Sequence, residues 1–164
     1  MVLIRRPTQS ELTELRGVAE FQFKIPGSLL IPDDVHVAIS PNTNRVRLVL
    51  RSGVKYLALR ARDYRFNLYV PAGVVLNNYL PHPYMRVYVK NEYAGFIASG
   101  KTLFCKHVLI ADPEIRPEDE VLVTDSTGKL LAVGRALVAG WEMVYYKRGE
   151  AVRVREGVIN GGEN

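Results

Sequence analysis

Between Glu120 and Arg155 the chain carries three short β-rich runs, Glu120 to Thr124, Leu130 to Leu137 and Ala151 to Arg155. They are separated by the turn cluster Asp125-Ser126-Thr127-Gly128 and by Gly140 to Gly149. Several short strands divided by turn signals are the pattern of a small barrel. Gly134 inside the second run predicts a bulge or a corner, because a strand interior gains nothing from a residue without a side chain. Upstream, Met85 to Lys90 reads as a strand, Asn91 to Ser99 as a helix that Gly100 can cap, and Lys101 to Leu109 as a short apolar and basic segment. A loop stiffened by Pro113 and Pro117 follows from Ala111 to Asp119.

The first half has a different grammar. Thr8-Gln9-Ser10-Glu11 has capping-box spacing, and Leu12, Leu15, Val18 and Ala19 place apolar side chains on one stripe of a helix from about Gln9 to Gln22, stopped by Pro26-Gly27. The period then changes to two at Val35, Val37 and Ile39. Arg45 to Arg51 and Val54 to Ala61 read as a hairpin about Ser52-Gly53. An ideal two-residue turn sets Val49 against Tyr56, Arg47 against Ala58 and Arg45 against Arg60. Alternation then puts Arg45, Arg47, Arg51, Tyr56 and Arg60 on one face and Val46, Leu48, Leu50, Leu57 and Leu59 on the core face. Phe66 to Val70 is a further strand and Gly73 to Leu80 a short helix or helical turn. Pro81-His82-Pro83 holds the chain extended and is the natural boundary. At 164 residues the chain holds two small domains: residues 1–83, an N-terminal α+β domain, then 84–159, with a loose tail at 160–164.

Charge and cysteine content exclude several classes. No apolar run reaches the roughly 18 residues of a membrane span, and the start MVLIRRPTQS has too short an apolar run for an export signal, so a cytoplasmic protein is expected. The single cysteine, Cys105, excludes an internal disulfide and a multi-thiolate zinc site. His36, His82 and His107 are too scattered for a metal motif, and no cofactor is implied. The net charge is +5. Residues 1–84 hold 11 Lys/Arg against 6 Asp/Glu and residues 85–164 hold 11 against 11, which places the excess in the first half. Of the 22 basic residues 15 are Arg, whose planar fork suits phosphate. No nucleophile with a neighbouring base is visible, so catalytic residues are not assigned. Glu118, Asp119 and Glu120 read as a solvated acidic turn and Cys105 as a small buried hydrophobe. Phe104 reads as core, and so do Trp141, Tyr145 and Tyr146, with base stacking as the alternative use of the last three.

Arg86 to Val158, and above all GKTLFCKHV, DPEIRPEDEVLV and LLAVGRAL, resembles the PUA domain, the module named for pseudouridine synthases and archaeosine transglycosylases. LRGVAEFQF, NRVRLVLRSGVKYLALRARD, PHPYMRVYV and FIASGKTLFCKHV extend the resemblance, over roughly residues 15 to 158, to the C-terminal part of archaeosine tRNA-guanine transglycosylase. The resemblance implies an α+β chain, with a small N-terminal α/β-sandwich-like domain followed by a β-barrel-like PUA domain, of archaeal type. It does not supply the enzyme. The family's catalytic half is a barrel of about 250 residues with catalytic aspartates and a zinc site, for which this chain has neither length nor cysteines. The implied function is non-catalytic binding of structured RNA, above all tRNA at its acceptor-stem end, with a separate transglycosylase catalytic chain as a candidate partner. The alternative is a ribosome-biogenesis factor on pre-rRNA. By residue-to-residue match the resemblance implies RNA-binding positions at Gly100, Lys101, Thr102, Phe104, Lys106, Arg153 and Arg155; His107, beside Lys106, is a further candidate, with a buried histidine holding a backbone partner as its alternative. The Arg45, Arg47, Arg51 and Arg60 face is a second candidate track for phosphates.

Overall fold

Thr8 opens helix α1 (Gln9–Phe23) as its spacing requires: its hydroxyl accepts from the Glu11 amide at 3.1 Å, and the Glu11 carboxylate accepts from the Thr8 amide at 2.9 Å. Leu12, Leu15, Ala19 and Phe23 form the buried stripe. The helix ends at Lys24, left-handed at φ 59°, whose amide bonds to the Glu20 carbonyl. Pro26-Gly27 does not perform the stop; it opens the single turn α2 (Gly27–Leu30). The computed structural model describes residues 2–161, which pack as two compact units divided between Leu76 and Asn77.

In the first unit a five-stranded antiparallel sheet runs in order β1 (Leu3–Arg5), β2 (His36–Ile39), β3 (Val46–Arg51), β4 (Val54–Leu59) and β5 (Phe66–Leu68). Strand β1 is absent from the sequence reading, because three residues are too few for a period. Helix α3 (Val70–Tyr79) begins earlier than Gly73. Ser52 and Gly53 are both left-handed, at φ 53° and 79°, the geometry of a tight primed turn, and Arg51 faces Val54 as expected. Beyond that pair the expected register fails. Leu50 faces Lys55, Val49 faces Leu57 and Leu48 faces Ala58, so Tyr56 is a bulge residue. The bulge aims two consecutive side chains inward: Tyr56 and Leu57 are both fully buried, and the Tyr56 hydroxyl donates to the Leu30 carbonyl. A second irregularity leaves Arg47 unpaired between Leu48↔Ala38 and Val46↔Ile39.

The second unit is a nearly closed, barrel-like sheet. Strands β6 (Arg86–Val89), β7 (Leu103–Phe104), β8 (Val108–Ala111), β9 (Glu120–Thr124), β10 (Leu130–Ala136) and β11 (Glu150–Gly157) lie in the order β7-β11-β10-β9-β6-β8. Only β6 and β9 run parallel. Val87, Val89, Val121, Val123, Ala132 and Val152 fill the interior together with Ile97 of α4 (Ala94–Ala98), Leu103 and Cys105. Gly134 marks the expected bulge between β10 and β11; a Cβ there would stand 2.3 Å from the Arg153 carbonyl oxygen. Arg86 is wholly buried and held by neutral oxygens. Its guanidinium donates to Asn77 Oδ1 and to the carbonyls of Asn77, Pro81 and Tyr84, at 2.7–3.1 Å. These oxygens replace its water shell, and burial lowers its pKa.

The stretch Gly140 to Gly149, read as a separator, contains helix α5 (Gly140–Tyr146). Its aromatic residues favour strands, but local contacts decide for helix. The Ala139 amide donates to Glu142 at 3.0 Å, and Gly140 sits where a Cβ would fall 1.9 Å from the Asp112 carbonyl oxygen. Met143 is sealed beneath it. A last turn, α6 (Val158–Gly161), takes in the first two residues of the tail expected at 160–164, and residues 162–164 lie outside the described residues.

Candidate nucleic-acid interface

Gly100 adopts φ 99°, a conformation open to glycine and strained for other residues, and its amide bonds to the Ile97 carbonyl at 2.9 Å to close α4. On the last strand, Gly157 packs backbone to backbone on this turn: a Cβ there would meet the Ala98 oxygen at 2.1 Å and the Gly100 nitrogen at 2.7 Å. Leu103 pairs with Val152 across β7 and β11. The glycine turn and the last strand therefore form one surface, with Lys101 exposed and Thr102 half-buried. Arg153 is 62% exposed on this surface, with Glu150 at 3.9 Å as a loose partner.

Arg155, two residues further along the strand, is ion-paired. Its two terminal nitrogens donate to the two oxygens of Glu120, at 2.5 and 2.8 Å, and the Glu120 side chain is fully buried. Glu120, expected on a solvated acidic turn, is instead a buried strand residue neutralised across β10 by a bidentate arginine. Its neighbour in register on β10, Arg135, faces Arg153 on the other side.

Lys106 and His107 sit on a single 3-10 turn, Cys105–His107. Lys106 is exposed; the His107 ring stacks on Tyr93 at 3.5 Å between centroids, with Phe104 edge-on at 6.4 Å. Burial, aided by the charges of Lys106 and Lys90, lowers the His107 pKa. Phe104 is not core: strand β7 has two residues, and alternation sends Leu103 inward and Phe104 out, 42% exposed. Cys105 is buried as expected, and burial raises its thiol pKa.

The two bulges break up the expected arginine face. Tyr56 belongs to the core. Arg51 lies over the Tyr56 ring at 5.7 Å and 3.6 Å from Asp34, and Arg60 pairs with Asp63 at 3.2 Å. Arg47 is exposed, and Arg45 lines a cleft of about 450 Å³ with Glu11, Glu14, Leu15, Asn44, Val46 and Tyr64. In that cleft the Arg5 guanidinium holds the Glu11 carboxyl down at about 2, whereas burial and the neighbouring Glu14, which accepts from its hydroxyl, push Tyr64 up to about 12.

Trp141, Tyr145 and Tyr146 also depart from expectation. They stand on the outer side of α5 at 52%, 76% and 56% exposure. Sequence spacing could have found them: Gly140 and Met143 mark the inward side of a helical turn, which turns 141, 145 and 146 outward. Among the described residues no group of three or more His, Cys, Asp or Glu side chains could hold a metal ion, and no helix is long and apolar enough to cross a membrane.

The nearly closed sheet with its glycine turn lies within residues 85–158, and these residues match the PUA domain family. Residues 13–83 match the patch-forming domain C2 of tRNA-guanine transglycosylase, and the chain is homologous to the C-terminal part of the archaeal tRNA-guanine(15) transglycosylases. It is 38% identical to that of Pyrococcus furiosus over 94% of this chain and 26% of the relative. For that of Thermoplasma volcanium the figures are 38% over 90% and 23%. The chain thus spans about a quarter of the length of the curated relatives it matches. Among solved structures, a hypothetical protein of Pyrococcus horikoshii has the same fold at TM-score 0.71 and 20% identity, covering 94% of each chain. A conserved PUA domain protein from Thermoplasma acidophilum follows at 0.63 and 20%, covering 94% of this chain and 93% of its own.

Proposed function

We propose that this chain binds structured RNA, namely tRNA at its acceptor-stem end, and serves as the RNA-holding partner of an archaeosine-forming transglycosylase catalytic chain while doing no chemistry itself. The observation that carries the reading is homology over nearly the whole chain to the tRNA-guanine(15) transglycosylases, confined to about a quarter of their length. The surface supports it. Gly100 lets a ribose-phosphate backbone approach closely, while Lys101, Lys106 and Arg153 supply exposed cations that displace counterions from phosphates. A-form RNA hides its base edges in a deep groove, so such a surface reads shape, phosphates and 2′-hydroxyls rather than stem sequence. The site of action is the cytoplasm, where tRNA is modified.

The test is competitive binding of the purified chain to tRNA transcripts and to pre-rRNA fragments, with a pull-down from archaeal lysate. The reading expects tRNA to win, affinity to fall steeply between about 50 and 200 mM salt, and a transglycosylase chain to co-purify. Preference for pre-rRNA and recovery of ribosome-assembly proteins would replace it with the biogenesis reading. Exchange of labelled guanine into tRNA by the chain alone would make it an enzyme.

A further inference from the structure

On the outer side of α5 three exposed aromatic rings converge. Trp141 and Tyr145 have centroids 6.4 Å apart, Trp141 and Tyr146 6.0 Å, and Tyr145 and Tyr146 5.0 Å. The helix is held by its other side, through Gly140 against the Asp112 backbone and Met143 in the barrel, so packing does not require the rings. The chain that follows them carries cations. Lys147 and Arg148 follow directly and are exposed. Of the nearby carboxylates, Glu142 accepts from the Ala139 amide, and Glu150 lies 3.9 Å from Arg153 as its loose partner. The Gly149 carbonyl accepts from the Cys105 amide at 2.9 Å, and Glu150 pairs with Phe104, which joins this segment to the turn bearing Lys106 and His107. The segment that follows the aromatic cluster therefore lies against the turn that carries two of the candidate RNA-binding residues.

We propose that Trp141, Tyr145 and Tyr146 form a stacking platform for unpaired nucleotides adjoining the RNA duplex, an assignment that rests on the RNA-binding reading above. Every base offers a π face to an aromatic ring, and the linking phosphates fall beside Lys147, Arg148 and Lys106. That pairing of open rings with cations is matched by a single-stranded nucleotide segment, whereas an apolar protein surface would offer the cations nothing.

Trp141 is the one tryptophan in the sequence, so its emission reads the platform directly. An RNA hairpin with a blunt stem and the same hairpin with a short single-stranded 3′ extension are titrated into the full chain. The extension is expected to quench Trp141 and to tighten binding about 5- to 100-fold. The Tyr145→Ser/Tyr146→Ser variant, altered only at exposed positions, is expected to lose that gain and keep its affinity for the blunt stem. If the blunt stem binds and the extension adds neither affinity nor quenching, or if the variant keeps the gain, the platform is refuted and the RNA-binding reading stands. If neither RNA binds, both fall. Emission that follows protein concentration instead of RNA, with self-association abolished in the variant, would make the patch a contact between copies and overturn the proposal.

Discussion

The guanidinium of Arg155 reaches across strand β10 to grip both oxygens of Glu120, a carboxylate sealed from solvent. Removing one member strands the other in a poorly solvated site. Arg155→Ala is expected to cost about 3 kcal/mol of stability, read by urea unfolding, with Glu120→Gln costing less because the amide can still accept a hydrogen bond. Any loss of RNA binding in Arg155→Ala must then be judged against its fold; unchanged stability would show the pair to be dispensable.

Lys101, Lys106 and Arg153 carry the electrostatic part of the proposed grip without that complication. Changing all three to Ala should leave the melting temperature near that of the parent. It should weaken tRNA binding for all stem sequences alike and lower the slope of log K against log salt by roughly 0.7 to 0.9 for each phosphate no longer neutralised. Filter binding at several salt concentrations measures both. An unaltered slope would move the interface elsewhere.

Glu11 gives the first unit an acid-sensitive element. Its folded carboxyl sits at about 2 against an ordinary 4.5, chiefly through the Arg5 guanidinium. A depressed acid stabilises the fold fully above about 4.5 and loses that contribution as pH falls toward 2. The stability advantage of the parent over Glu11→Gln should shrink through that interval when denaturant midpoints are compared, and a constant difference would contradict the assignment.

Two glycines predict opposite signs. Gly17 lies exposed within α1 with nothing within 4 Å of an added Cβ, so Gly17→Ala should stabilise by about 1 kcal/mol. Gly134→Ala drives a methyl into the Arg153 carbonyl and should destabilise by about 2 kcal/mol, at the cost of the bulge that lines up β11. Thermal melts of the two variants decide the matter.

For His107, NMR titration of the free chain should give a midpoint below the usual 6.5, because burial and two lysines disfavour the imidazolium. Phosphates arriving beside Lys106 reverse the local field, so adding RNA should move the midpoint upward. A midpoint indifferent to RNA would remove His107 from the interface.

Much of this architecture is legible from residue order. The capping box of α1, the turn at Ser52-Gly53, the strand Glu120–Thr124 and the bulge at Gly134 each follow from a local rule that tertiary packing does not override. The misplacements share a cause. Alternation assumes an unbroken pleat, and the irregularities at Tyr56 and Arg47 shift the phase of the hairpin, which dissolves the expected arginine face. Glu120 and Arg155 cannot be paired by reading, since they lie 35 residues apart on strands separated by a third. Large rings are usually buried, which is the reason to expect the α5 aromatics inside; the spacing of Gly140 and Met143 carries the contrary signal, and the fit of Gly140 beneath Asp112 fixes that side in the fold.

Cys105, the one sulfhydryl in the sequence, lies inside the barrel, where burial keeps its thiol protonated. The folded protein is in effect blank to thiol-directed reagents, with nothing to delete first. A cysteine installed at Arg153 or Tyr146 would be the sole reactive handle on the molecule. Spin labels and photocrosslinkers can then be planted one position at a time, mapping whatever docks there against a silent background.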